Sequence, residues 1–247
     1  MESHINSSMG SNNRAKLRME MIVWGVLGLM GLIGLFALIS SVFFENGSFH
    51  GGGHITAFDL RMQELFFSVR NPGLTTIAII ITEFGYWYIL SIICILLLIN
   101  KKFRFSIGLP VSIAALIENP INSGLKRIFE RPRPDELMML VHEDSFSFPS
   151  GHSVASMVSY GLLCYLIIKH VPPGALKKVA TGLCIFLMIA VGLTRIYLGV
   201  HYPTDVLAGW CEGIVIIAVT VIITVAMTYC RCYNQNCMLL KLIGRSQ

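Results

Sequence analysis

Residues 21 to 44 contain no Asp, Glu, Lys or Arg. About 20 predominantly apolar residues in helical form cross a bilayer, and within lipid only helices or closed barrels satisfy every backbone N–H and C=O. This uncharged run therefore makes lipid the solvent of the chain. The whole sequence agrees, being 54% hydrophobic and 13% charged, where an average soluble domain carries about 25% charged residues. Arg14, Lys16 and Arg18 precede the run as the basic head of a signal peptide would. The run is longer than the apolar core of such a peptide, and no small-x-small cleavage pattern follows Phe43 and Phe44. It reads as a retained helix.

Five further apolar stretches follow, at roughly 73–99, 105–125, 151–168, 179–195 and 204–229. The fold expected is all-α: a bundle of six transmembrane helices over residues 19–230, after a polar segment 1–18 and before a tail 231–247. Glu83, Glu118 and Glu212 interrupt the stretches. A carboxylate in a span must face protein or water, so Glu83 and Glu118 line a lipid entry groove or bond neighbouring helices.

Six crossings place twelve of the 19 Lys and Arg on the side of the termini and seven on the other. Cytoplasmic loops retain positive charge, so both termini are expected in the cytoplasm. One outer loop breaks the rule by carrying Lys126, Arg127, Arg131 and Arg133; something there requires positive charge. The net charge of +5 is spread over short clusters and gives no basic stripe for nucleic acid. The seven cysteines show no disulfide or zinc spacing and read as packing thiols. Cys230, Cys232 and Cys237, beside a membrane exit, are open to acylation. Apart from a Gly51-Gly52-Gly53 turn, no repeat or low-complexity tract is visible.

Three segments bring reactive side chains to the outer face. Lys126 and Arg133 flank a chain that Pro132 and Pro134 hold out of helix. Together they suit an anion with several oxygens; a pair snorkelling to headgroups has the same appearance. Ser150 stands where an N-cap belongs, before Gly151 and His152 and a long apolar helix. Its first amides make a phosphate site, and His152 is placed to give a proton to an oxygen bound there; an interfacial histidine is the plainer alternative. In the third segment, Pro203 suits a helix start and Asp205 follows His201 by four residues. A hydrogen bond from the imidazole to Asp205 would fix its tautomer and free the other nitrogen as a nucleophile. A structural His–Asp pair has the same spacing. Complementary groups from all three segments reach one face by an independent charge count, which argues against coincidence.

The chain resembles the type 2 phosphatidic acid phosphatases, which share a core with vanadium haloperoxidases and glucose-6-phosphatase. Their pattern is Lys-x6-Arg-Pro, then Pro-Ser-Gly-His, then Ser-Arg-x5-His-x3-Asp. Lys126, Arg133 and Pro134 match the first part, Pro149, Ser150, Gly151 and His152 the second, and Arg195, His201 and Asp205 the third. Thr194 replaces the usual serine. The resemblance implies a phosphohistidine mechanism without metal or other cofactor. His201 attacks phosphorus, Asp205 supports the imidazolium, and His152 is the acid and later the base. Lys126, Arg133, Ser150, Gly151 and Arg195 hold the phosphate oxygens.

Glu130, Asp135, Glu136, Glu143 and Asp144 crowd the same loop. A metal site would use such carboxylates, but they read more simply as a solvated rim. The expected substrate is a lipid phosphate entering from the outer leaflet, with no nucleic acid and no obligate protein partner. Undecaprenyl pyrophosphate is preferred on analogy over phosphatidylglycerophosphate or phosphatidate. A membrane sugar phosphatase and a non-enzymatic lipid transporter are the competing functions.

Overall fold

The computed structural model describes the backbone of residues 2–45, 48–49 and 53–243, and the side chains of 12–44 and 53–230. Gly51, Gly52, Cys232, Cys237 and the basic tail side chains of Arg231, Lys241 and Arg245 lie outside the described set. Nearly all of the long uncharged run lies in α1 (Glu2–Phe43), which begins well before it, in the polar head. A two-residue antiparallel pairing of β1 (Phe44–Glu45) with β2 (Ser48–Phe49) follows.

α2 (Ala57–Ser68) begins with a capping box, in which the Asp59 amide donates to Thr56 Oγ1 and the Thr56 amide to Asp59 Oδ2. Asn71 caps α3 (Pro72–Glu83), which opens on Pro72. α4 (Trp87–Ile99) carries no charged residue. A π turn at Arg104–Gly108 leads into α5 (Leu109–Phe129). Glu130 ends α5 in the left-handed conformation, φ 45°, releasing Arg131 and Arg133 into an irregular loop. α6 (Gly151–Ser156), a π turn (Met157–Gly161) and α7 (Leu162–His170) form one rod, followed by α8 (Ala175–Tyr197) and α9 (Pro203–Ile243).

Among the described residues, four helical segments are long and apolar enough to cross a bilayer: Asn12–Phe43, Gly151–His170, Ala175–Tyr197 and Pro203–Cys230. A fifth results if α2 and α3, bent 119° to one another, count as one span. The expected single stretch at 73–99 is instead two helices, broken at Phe84–Tyr86. A Cβ at Gly85 would stand 2.7 Å from Val191 and 2.8 Å from His152, so the break is where the backbone passes directly over another helix and a site histidine. α3 lies against the end of α8, where Tyr197 Oη meets Thr75 Oγ1 at 3.0 Å and Arg195 donates to Thr82 Oγ1 at 2.9 Å.

α1 packs along α9, and α9 packs on the rod that begins at Gly151. Gly209 makes that second approach close, since a Cβ there would lie 2.8 Å from the Ser150 carbonyl. Val111, Val154, Val158, Leu162, Ile217 and Val221 form the buried centre. Nearer one end, the rings of Phe43, Phe129 and Phe148 pack on one another with centroids 4.6–5.3 Å apart. They floor the loop that carries Ser147 to Ser150. At the other end, Glu20 pairs with Lys169 and Tyr165, and Arg18 with Tyr229.

Candidate active site

All eight residues singled out from sequence gather at one end of the bundle. Lys126 stands on the last turn of α5, Arg133 in the loop after it, and Arg195 on the last turn of α8. Ser150, Gly151 and His152 open α6, while His201 and Asp205 bracket the start of α9. His201 is 1% exposed, and its Nε2 lies 3.1 Å from Arg133 Nη1. A guanidinium only donates, so Nε2 is the unprotonated nitrogen and Nδ1 carries the hydrogen. Burial, reinforced by Arg133, Lys126 and Arg195, holds the His201 pKa well below the usual imidazole value. The ring is neutral, and its Nε2 lone pair faces the Arg133 guanidinium.

The direct His201–Asp205 bond expected from the spacing is not what the helix start provides. Asp205 Oδ2 lies 3.5 Å from Nδ1, beyond good hydrogen-bond length. Ser147 spans the interval, its Oγ 3.3 Å from Nδ1 and donating to Asp205 Oδ2 at 2.5 Å. The Tyr202 amide also donates to Oδ2, at 2.8 Å.

Asp205 has a second role, for which the chain carries no local signal. Arg131 is 1% exposed and donates to Asp205 Oδ1 at 2.5 Å and to Asp59 Oδ2 at 2.9 Å. It also donates to Thr204 Oγ1 and the His54 carbonyl, both at 2.8 Å, and stacks on the Tyr202 ring. Burial opposes its charge, but Asp205 and Asp59 outweigh that and hold its pKa above the ordinary arginine value. Asp59, which belongs to none of the three motifs, is fully buried here and accepts from the Thr204 amide and hydroxyl. The available signal was the cation excess in the loop after α5, which Arg131 partly accounts for.

Glu143 corrects the solvated-rim reading. It is 17% exposed and pairs with Arg195, with Arg133 Nη2 3.7 Å away. His142 and Asp144 beside it do face solvent. Arg133 is further fixed by the carbonyls of Ser145 (2.6 Å) and Val200 (2.8 Å). Arg195 Nε is buried and, among the described residues, donates to nothing; it is a ready donor for an incoming oxygen.

Ser150 occupies the N-cap position without capping: its hydroxyl makes no cap hydrogen bond and accepts from Ser153 Oγ at 3.0 Å. Its amide donates to the Asp205 carbonyl, tying the starts of α6 and α9 together. The Thr194 hydroxyl donates to Val191 O in its own helix, so the departure from the family serine does not reach the site. Lys126 Nζ donates to the Phe146 carbonyl. His152 packs edge-on against Tyr86, and its buried Nε2 has no partner among the described residues.

Lys126, Ser145, Gly151 and His152 close the upper end of a groove of about 1030 Å³ between α4 and α5. A second, shallower basin of about 590 Å³ lies over the loop from Arg131 to Phe146. The site thus sets an unprotonated imidazole nitrogen, three cations and a second imidazole, unpartnered at Nε2 among the described residues, beside a channel of mixed apolar and polar lining.

Residues 85–229, over half of the chain, match the PAP2 superfamily, and the chain belongs to it. It is a multi-pass membrane protein of that class. Among similar proteins, phosphatidylglycerophosphatase B of Bacillus subtilis (strain 168) is 43% identical over 97 residues, 39% of this chain and 47% of that protein. The match thus spans about half the length of that relative. Undecaprenyl-diphosphatase of Sulfolobus acidocaldarius is 27% identical over 168 residues, 66% of this chain and 77% of that protein. The crystal structure of a transmembrane PAP2-type phosphatidylglycerolphosphate phosphatase from Bacillus subtilis superposes with a TM-score of 0.67 at 28% identity, covering 78% of this chain and 93% of that one.

Proposed function

We propose that the protein is a lipid phosphate phosphatase that cleaves terminal phosphate through a phosphohistidine on His201. The observation that carries this reading is the placement of His201 Nε2 3.1 Å from Arg133, within the field of Lys126 and Arg195, while Lys126 and His152 themselves line the upper end of a lipid-sized groove. The Nε2 lone pair attacks phosphorus as the bond to the lipid oxygen breaks, and His152 gives that oxygen its proton. Water then attacks the phosphohistidine, His152 takes its proton, and the N–P bond breaks to release phosphate and restore the imidazole. Asp205, through Ser147, keeps the hydrogen on Nδ1.

Lys126, Arg133 and Arg195 hold the equatorial oxygens, with the Gly151 amide and Ser150 hydroxyl completing the cradle. Each charge pair 4 Å apart contributes about 4 kcal/mol at an effective dielectric of 20. Three cations are wanted because a phosphate dianion is expensive to desolvate.

With the 73–99 stretch, α3 and α4, as the second of six crossings and α5 as the third, the charge asymmetry supports both termini in the cytoplasm and the site on the outer face. The 19–230 domain, with its polar head and tail, follows from that arrangement. Substrate reaches the site sideways, from the outer leaflet through the α4–α5 groove. Phosphatidylglycerophosphate and undecaprenyl diphosphate, named in the relatives, head the substrate panel.

Purified protein in detergent, assayed for phosphate release from phosphatidylglycerophosphate, phosphatidate, undecaprenyl diphosphate and glucose 6-phosphate beside His201→Ala, tests this. Release from the lipids, lost in the variant and persisting in excess chelator, is expected. Equal release by both proteins would end the proposal.

A further inference from the structure

Below the cations, the groove between α4 and α5 is not uniformly apolar. Leu90, Ile95 and Leu98 line its α4 side, as an acyl chain requires. Its α5 side carries Glu118, Asn119, Asn122 and Ser123 on the approach to Lys126. At 1.5 Å of rise per residue, these stand roughly 4 to 12 Å below Lys126 along the helix. Ser123 Oγ donates to Asn119 Oδ1 at 3.1 Å, which engages the Asn119 carbonyl and leaves its NH₂ to offer. Asn122 Nδ2 donates to Glu212 Oε2 at 3.0 Å. Glu118 Oε2 is shielded from solvent and accepts no hydrogen bond among the described residues.

A plain hydrocarbon chain at this depth would cover these groups and pair none of them, and buried polar atoms left unpaired are costly. A glycerolipid differs, because its hydroxyl and ester oxygens begin within a few bonds of the phosphate. A polyprenyl or alkyl chain offers no such oxygens.

We propose that Glu118, Asn119 and Ser123, with Asn122 behind them, form a subsite for the glycerol-ester region of the substrate, selecting glycerophospholipid phosphates over phosphates of unfunctionalised chains. Asn119 donates to an ester carbonyl, and Glu118 Oε2 accepts from a glycerol hydroxyl. The subsite rests on the lipid phosphatase reading and narrows its substrate class, moving preference away from the polyprenyl diphosphate.

The test compares 1-oleoyl-lysophosphatidate with oleyl phosphate in detergent micelles. Both are phosphomonoesters with a single oleyl-type hydrocarbon tail, and only the first has a glycerol hydroxyl and an ester carbonyl between the phosphate and that tail. The wild type is expected to favour lysophosphatidate about tenfold or more in kcat/KM, and Glu118→Met and Asn119→Leu each to shrink that ratio about fivefold. Glu118→Met, close in volume and without an oxygen acceptor, keeps the test decisive should Asn119→Leu fail to fold. A wild-type ratio near one, or a ratio unmoved in the folded variants, would overturn the subsite. Hydrolysis of neither compound, nor of any lipid in the panel above, would remove the phosphatase reading itself, a distinguishable outcome.

Discussion

Replacing Arg131 by methionine removes the one cation that Asp59 and Asp205 share in the buried network described above. Both carboxylates have no exposed surface and the guanidinium only 1%. The Thr204 amide and hydroxyl still serve Asp59, and Ser147 and the Tyr202 amide still serve Asp205. The charge, however, is left without compensation. Removing one partner of a buried ion pair costs about 3–5 kcal/mol. At roughly 2–4 °C per kcal/mol for a chain of this size, the unfolding temperature should fall by about 6 to 20 °C.

Arg131→Lys keeps a charge but cannot reach two carboxylates, Thr204 and the His54 carbonyl together, and should recover only part of the loss. Asp59→Asn with Arg131→Gln should cost less than the two changes summed, by about 0.5–3 kcal/mol. Because Asp205 orients His201 through Ser147, kcat should fall about a hundredfold in Arg131→Met. Thermal unfolding in detergent and steady-state hydrolysis of a lipid phosphate measure the two effects. An unfolding temperature within about 2 °C of wild type, together with unchanged kcat, would refute the argument that Arg131 anchors the site.

Other consequences follow from the same geometry. The His201 pKa is depressed in the folded protein, so the unfolded chain binds a proton near pH 6.5 that the native state refuses. Stability from this residue is therefore complete above about pH 6.5 and declines as pH falls below it; unfolding midpoints from pH 8 to 5 for wild type and His201→Asn should converge at the acid end. Ser147→Ala breaks the bridge between Nδ1 and Asp205 and should lower kcat about tenfold or more with little change in KM, whereas a parallel rise in KM would mean that Ser147 serves binding instead. Gly209→Leu drives a side chain into the Ser150 carbonyl and Ser153, costing about 1–3 kcal/mol and displacing the phosphate cradle. At Gly182, where a Cβ meets nothing within 4 Å, substitution by Ala should instead stabilise by about 0.5–1 kcal/mol; equal unfolding shifts for the two variants would contradict the packing argument.

The sequence by itself determined the solvent, the helical class and the short motifs. An uncharged run long enough to span lipid admits few structures, and the Lys126, Arg133, His152, Arg195, His201 and Asp205 spacings are local constraints that survive folding unchanged. It also located the concentration of positive charge between α5 and α6. Tertiary structure decided what those charges are for. Arg131 and Arg133 are two residues apart, yet one is turned inward to Asp59 and Asp205 and the other toward His201. Pairings across 72 and 74 positions leave no period in the chain. Glu143 and Asp144 are neighbours, and only the fold separates the carboxylate held by arginines from the one in solvent. The break at Phe84–Tyr86 belongs to the same category: hydropathy sums apolar residues, whereas the end of α3 is set by backbone passing over His152 and Val191. Short-range chemistry is written along the chain, but the partner of a buried charge is chosen by whichever distant segment packs against it.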